Sequence, residues 1–275
     1  MFSQTIGFIG AGHLSGAIIA GLLQDKQFAS LIASCKSKAT AEQIENNYKI
    51  KCSRDNRFIY EQAQVLIIGV RPAHLEELLR EMANYDLTDK LIITLVAGIP
   101  LEKYRDILGD EVALIRAMPN MAVRRQAALT GIYSDSQLDE DEEQLVDSIF
   151  AAVGGTEWLE DETQLDGVIA LAASGIGLVF RLMEAFARAG ESYGFDKETL
   201  YDMVSQTFFG AAVLALEEEN GSFAGFVNAI ATPGGTTAAG LQALEDSQID
   251  QIVGQALAAV VQRSNQLGEE LTRDW

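Results

Sequence analysis

The chain opens on a strand that runs straight into a glycine turn and then a helix. Residues 5–9 read as a short strand, Gly10-Ala11-Gly12 follows directly, and residues 14–23 read as a helix whose Gly16, Ala17, Ala20 and Gly21 allow close packing. Glycine at such a junction permits a tight turn and lets backbone amides reach an anion at the helix N-terminus. This is how a dinucleotide-binding unit begins, with a purely structural turn as the alternative reading. Either way the turn needs a sheet to carry it. Residues 31–34, 65–70, 91–95, 112–116 and 130–133 read as further strands, with helices over 39–48 and from Pro72 to about residue 83. The run Val65-Leu66-Ile67-Ile68 is apolar throughout, as in a parallel strand buried on both faces. Strands alternating with helices predict an α/β fold with an N-terminal doubly wound, Rossmann-type sheet.

The texture changes near residue 160. Residues 164–193, 197–219 and 247–273 read as long helices rich in Ala and Leu, and no strand is evident among them. Helices that are apolar on nearly all faces are buried in a bundle or against another subunit. The expected division is a dinucleotide-binding domain over 1–162 and an all-α helical substrate and dimerisation domain over 163–275. The longest apolar run, 167–180, is too short to span a bilayer, so a buried helix is expected there and no membrane partner. No basic stretch followed by an apolar one precedes the first strand, so no signal peptide is expected.

Forty acidic residues against twenty basic ones give a net charge of −20, which disfavours nucleic acid and anionic membranes as partners. A small anion can still bind where local amides outweigh the global field. The run Asp139-Glu140-Asp141-Glu142-Glu143 is expected to be the solvated first turn of a helix. The two cysteines, Cys35 and Cys52, form no CxxC or Cys/His cluster, so no metal is expected and a reducing cytoplasm fits.

The end of the second strand distinguishes the two nicotinamide cofactors, because an acid there binds the ribose diol of NAD. Here the segment is Ala33-Ser34-Cys35-Lys36-Ser37-Lys38, with lysines and serines and no acid. This favours NADP(H), with a solvated loop as the alternative. His13, at the helix start, is read as a phosphate or ribose contact or a cap. Near the other end, Thr232-Pro233-Gly234-Gly235 forces a turn, and Thr236-Thr237 begin a helix. Exposed first-turn amides and two hydroxyls there suit a carboxylate, or else form a simple capped helix. Ser174-Gly175-Ile176-Gly177 reads as a helix–helix contact or a break beside a ligand. Both histidines, His13 and His74, precede residue 163, and Lys197 is the only lysine after Lys103. Alcohol oxidation needs a base to take a proton; reduction of a protonated imine needs position and a polar contact to the ring nitrogen.

At these residues the chain resembles the pyrroline-5-carboxylate reductase family. The matching stretches are Ile6-Gly7-Phe8-Ile9-Gly10-Ala11-Gly12, Val70-Arg71-Pro72, Ala97-Gly98, Ile115-Arg116-Ala117-Met118-Pro119-Asn120, Ser174-Gly175 with Gly177, and Thr232-Pro233-Gly234-Gly235-Thr236-Thr237. They cover essentially the whole length. The resemblance implies NADPH-dependent reduction of 1-pyrroline-5-carboxylate to L-proline by hydride transfer to the cyclic imine, with NADH as the other donor. It implies that Gly10, Gly12, His13 and Leu14 hold the pyrophosphate, Ser37 and Lys38 the adenosine phosphate, and Asn56 a ribose. Val70, Arg71, Pro72, Ala97 and Gly98 would border the nicotinamide ribose, and Asn120 the nicotinamide. Ser174 and Gly175 would touch the substrate. Gly234, Gly235 and Thr236 would present amides to its carboxylate, and Thr237 would be the catalytic contact to the ring nitrogen. The family is a homo-oligomer, a dimer or a multiple of dimers. The chain departs from the family's usual pattern at His13 (Asn), Arg71 (Lys), Ile176 (Ser), Leu178 (Pro) and over residues 222–228. A reductase of a related cyclic imino acid, and a non-catalytic NADP-binding paralogue, are the alternative readings.

Overall fold

The computed structural model describes residues 2–218, 221–273 and 275. They divide into two compact units, one of residues 1–174 with 260–275, the other of residues 175–259.

The first unit carries, in order, β1 (Phe2–Ile9), α1 (His13–Gln24), β2 (Phe28–Ser34), α2 (Lys38–Tyr48), β3 (Lys51–Ser53), α3 (Arg57–Gln62) and β4 (Val65–Ile68). A 3-10 turn at Pro72–His74 leads into α4 (Leu75–Met82), then β5 (Leu91–Thr94), α5 (Leu101–Leu108) and β6 (Ala113–Pro119). After a 3-10 turn at Met121–Arg125 come β7 (Ala128–Ser134), α6 (Glu140–Ala151), β8 (Gly154–Trp158) and α7 (Gln164–Val168). The sheet order is β3-β2-β1-β4-β5-β6-β7-β8. All neighbours are parallel except β6 and β7. The first six strands follow the doubly wound order, whose reversal falls between β1 and β4. Ligands of such sheets bind beyond the carboxyl ends of the strands at that reversal.

Period-two alternation explains why helices cover both faces. Ile6, Phe8, Ile67, Ile93 and Ile115 face one buried layer, and Ile9, Leu66, Ile68, Ile92 and Leu114 the other. No residue of β4 is more than 1% exposed, as its unbroken apolar run predicts. The acidic run is the first turn of α6, where Asp139 accepts from the Glu142 amide at 2.8 Å and Glu142 accepts from the Asp139 amide at 3.0 Å. This reciprocal capping box satisfies two amides that the helix cannot pair itself.

The second unit contains α8 (Gly175–Gly190), α9 (Lys197–Glu217), α10 (Phe223–Ile230), α11 (Thr236–Asp246) and the first part of α12 (Ile249–Thr272). Among its described residues there is no strand. Phe186 meets Phe208 edge to face, with ring centroids 5.4 Å apart. Many other apolar side chains lie open, including Phe180, Phe209, Leu216 and Phe223.

Several details differ from the sequence reading. β3, β8, α3, α5 and α10 are additional elements. The segment after Pro72 is a 3-10 turn before it becomes a helix. The stretch Gln164–Tyr193 is continuous, and its irregularity is a π turn at Ile169–Ala173 rather than a break at the glycines. The helix expected over 197–219 ends at Glu217; Glu219 lies outside the described residues. The run expected to be too short for a membrane therefore belongs to a 30-residue helical stretch. By length and composition that stretch and Lys197–Glu217 could each cross a bilayer.

Candidate active site

The carboxyl edge of the parallel strands gathers the predicted dinucleotide residues. Gly10 takes φ +87° where β1 turns, and a Cβ there would stand 2.9 Å from the Gly69 carbonyl and the Val70 side chain. Glycine is therefore required. The Gly10 and Ala11 amides both donate to the Ser34 carbonyl, at 3.0 and 3.3 Å, and tie the turn to β2. Gly12 is the N-cap of α1, without a side-chain cap and without an acid in the first turn. The α1 ladder starts with the Gly16 amide donating to Gly12 at 2.8 Å. The amides of His13, Leu14 and Ser15 thus lack intrahelical acceptors and sit at the positive end of the helix. Gly12 and His13, at this helix start, border a cleft of about 660 Å³ that also takes in Tyr48, Arg71 and Arg124. A Cβ at Gly12 would meet nothing within 4 Å, so the space beside Gly12 is open. A pyrophosphate fits this arrangement.

The neighbouring corner is built from the ends of β2 and β3. Ser37 caps α2, its Oγ accepting from the Thr40 amide at 3.5 Å. Lys36 and Lys38 are exposed and paired with Glu77 and Glu42. Asn56 accepts from Ser34 Oγ at 2.8 Å and donates to Glu81 at 3.4 Å. Cys35 Sγ lies 3.7 Å from Cys52 Sγ. Burial first, then the hydrogen bond to Cys35, pushes the Cys52 thiol up to about 12.

At the end of β5, Ala97 is exposed and Gly98 takes φ +78°. The last part of α12 rests on this loop: a Cβ on Gly268, a buried residue of that helix, would collide with the Gly98 carbonyl. Glu162 Oε1 accepts from the Leu101 amide at 2.8 Å and from Arg116 at 2.6 Å, which pins the start of α5 to β6. Asn120 accepts from the Ala122 amide at 3.0 Å and donates to the Ala172 carbonyl at 3.4 Å, joining the end of β6 to the π turn. That turn closes with the Ser174 amide donating to Ile169 at 2.7 Å, an i to i−5 bond. Such turns recur at functional sites. Here it sets the residues just before Gly175.

The second predicted cluster lies in the second unit. Gly234 takes φ +73°, and Gly235 is the N-cap of α11. The Gly235 amide donates to the Thr232 carbonyl at 2.8 Å, and the α11 ladder begins with Ala239 to Gly235 at 3.2 Å. The amides of Thr236, Thr237 and Ala238 are then the ones without intrahelical partners. Thr236 and Thr237 are exposed, and α11 has no acid in its first turn.

The structure gathers Gly12, His13 and Arg71 around one cleft and Gly10, Asn56 and Val70 around a smaller one, with Leu14 in the first turn of α1, Pro72 opening the 3-10 turn, and Ser37, Lys38, Ala97, Gly98 and Asn120 just beyond strand ends. Sequence reasoning missed Arg54, Arg124, Glu162 and Gly268. Arg54, Glu162 and Gly268 each make a contact distant in sequence, Arg124 lines the cleft, and the Gly98–Gly268 approach leaves only a glycine inside a helix as its trace.

Residues 162–267 match the family model for pyrroline-5-carboxylate reductase dimerisation, and residues 5–98 match that for NADP oxidoreductase, coenzyme F420-dependent. The pyrroline-5-carboxylate reductase of Pseudomonas aeruginosa is 31% identical over 98% of this chain and 99% of its own. That of Methanosarcina acetivorans is 31% identical over 98% of this chain and 100% of its own. The structure of a pyrroline-5-carboxylate reductase from Coxiella burnetii is similar with a TM-score of 0.91 at 29% identity, covering 97% of this chain and 99% of that one. With such agreement along both chains, the protein belongs to the pyrroline-5-carboxylate reductase family.

Proposed function

We propose that this protein reduces 1-pyrroline-5-carboxylate to L-proline with NADPH, NADH being the weaker donor. The observation that carries the reading is a pair of helix starts stripped of competing acids. The α1 start opens on a cleft, and the α11 start presents hydroxyls. NADPH, when bound, supplies the hydride. The amides of His13 and Leu14, with Gly10 and Gly12 shaping the turn, hold its pyrophosphate. Ser37 and Lys38 take the adenosine phosphate and Asn56 a ribose. Val70, Arg71, Pro72, Ala97, Gly98 and Asn120 fix the nicotinamide end. The amides at Gly234–Thr236 and the α11 dipole take the substrate carboxylate. Thr237 holds the ring nitrogen, and Ser174 and Gly175 complete the pocket. No ionisable helper is required, because the protonated imine is already electrophilic and the product amine keeps its proton.

In this reading residues 1–162 bind the dinucleotide, and 163–275 bind the substrate and dimerise. Segments 163–174 and 260–275 pack into the first compact unit without changing those roles. The protein acts in the cytoplasm as a dimer or a multiple of dimers, with no nucleic-acid or membrane partner. The open apolar side chains of α8 to α10 support burial against a second copy. Mixing protein, NADPH and the five-membered imine should consume the dihydronicotinamide absorbance. A folded oligomer that consumes none would refute the proposal. Half-buried Ile176 and Leu178, beside Ser174, favour including six-membered and sulfur-containing rings in the panel, ranked by kcat/KM.

A further inference from the structure

We infer that Arg54 is the residue by which this protein distinguishes a 2′-phosphorylated adenosine from an unphosphorylated one. The inference rests on the cofactor reading above. The two lysines after β2 are the obvious cations, but both are matched. Lys36 Nζ lies 3.1 Å from Glu77 Oε2, and Lys38 Nζ lies 3.6 Å from Glu42 Oε1. Each pair is close to neutral when seen from solvent.

Arg54 reaches the same corner from the neighbouring strand. Ser34 and Ser53 are register partners, so the segments leaving β2 and β3 emerge side by side. Arg54 Nε donates to the Lys36 carbonyl at 3.4 Å, which tethers the guanidinium to the 35–38 loop. Among the described residues Arg54 forms no ion pair, and no other N–H of its guanidinium is hydrogen-bonded. The carboxylate of adjacent Asp55 accepts from the Arg57 amide at 3.0 Å, at the start of α3.

The other parts of a phosphate site stand around the same loop. The Ser37 hydroxyl accepts from Thr40 and keeps its own hydrogen to donate. The α2 ladder begins with Ala41 to Ser37 at 3.0 Å, so the Lys38 and Ala39 amides are unpaired at the positive end of an 11-residue helix. No acid lies in the first turn of α2. A guanidinium binds a phosphate through two parallel N–H groups, which an ammonium does not. A 2′-hydroxyl gives that charge nothing to meet.

The test uses the full chain and two probes, 2′,5′-ADP and 5′-AMP, in calorimetric titrations. Wild type is expected to bind 2′,5′-ADP the more tightly. Arg54→Ala should weaken 2′,5′-ADP by roughly tenfold or more, with little change for 5′-AMP. Arg54→Lys should recover part of the loss, and Lys36→Ala should cost less than Arg54→Ala. Equal losses on both probes, no loss on either, or a larger loss from Lys36→Ala would overturn the role of Arg54. The NADPH reading would survive that result so long as wild type still prefers 2′,5′-ADP. If wild type fails to separate the probes and reduces the imine equally with NADH, the NADPH reading falls, and this inference with it.

Discussion

Thr237 stands in the first turn of α11, on a segment, 232–240, that carries no titratable side chain. Its hydroxyl is the side-chain group there best placed to exchange a hydrogen bond with a ring nitrogen. Thr237→Val keeps the shape and removes the bond. We expect kcat to fall on the order of 10²-fold with cofactor affinity retained, and Thr237→Ser to restore much of it, measured by steady-state kinetics and cofactor titration. Cys52 gives a prediction of another kind. Its thiol is raised to about 12 from an ordinary 9.0, so between those values the unfolded chain ionises this group while the folded chain keeps the proton. Stability linked to Cys52 is full below pH 9 and is lost as pH rises toward 12. Denaturation midpoints of wild type should fall across that window more steeply than those of Cys52→Ser.

At the scale of elements, α12 shows how a helix can be placed by an absence. Gly268 lets its backbone settle against the Gly98 carbonyl. Gly268→Ala forces the helix off the loop and is expected to destabilise the protein by about 1–3 kcal/mol and to raise KM for NADPH, checked by denaturation and kinetics. Legibility followed the same physics. β4, β5 and residues 6–9 of β1 are readable because their side chains are buried on both faces, and α6 because Asp139 and Glu142 announce its start. β3 is three residues long and β8 begins with Gly154-Gly155, so neither has enough side-chain pattern to declare itself. The π turn at Ile169–Ala173 leaves no sign in an evenly apolar run. In the site, Gly10, Gly98 and Gly234 were visible because their positive φ demands glycine. Arg54 and Glu162 were invisible because register and tertiary contact alone bring them in.

For the molecule as a whole, the net charge of −20 and the open apolar helices pull in opposite directions. Identical acidic chains repel, and salt screens that repulsion over about 10 Å at 0.1 M. Self-association should therefore tighten between low and moderate ionic strength, followed by sedimentation. Phe209→Glu, on an exposed ring of α9, should shift the protein toward monomer and reduce turnover with it. The first unit is also discontinuous in the chain: Leu271 packs on a cluster drawn from residues 9–114, and Val260 on one made of Met118, Leu165, Val168, Ile169 and Ala172. A ribosome delivers that stretch well after the strands it covers. Until it emerges, the Ala97–Gly98 loop has nothing to lean on, and a nascent chain must carry a nearly finished nucleotide fold with one flank bare. Proteins that guard nascent chains have most to protect during that interval, and the loop proposed to hold the nicotinamide end can settle only once Gly268 has been made and docked.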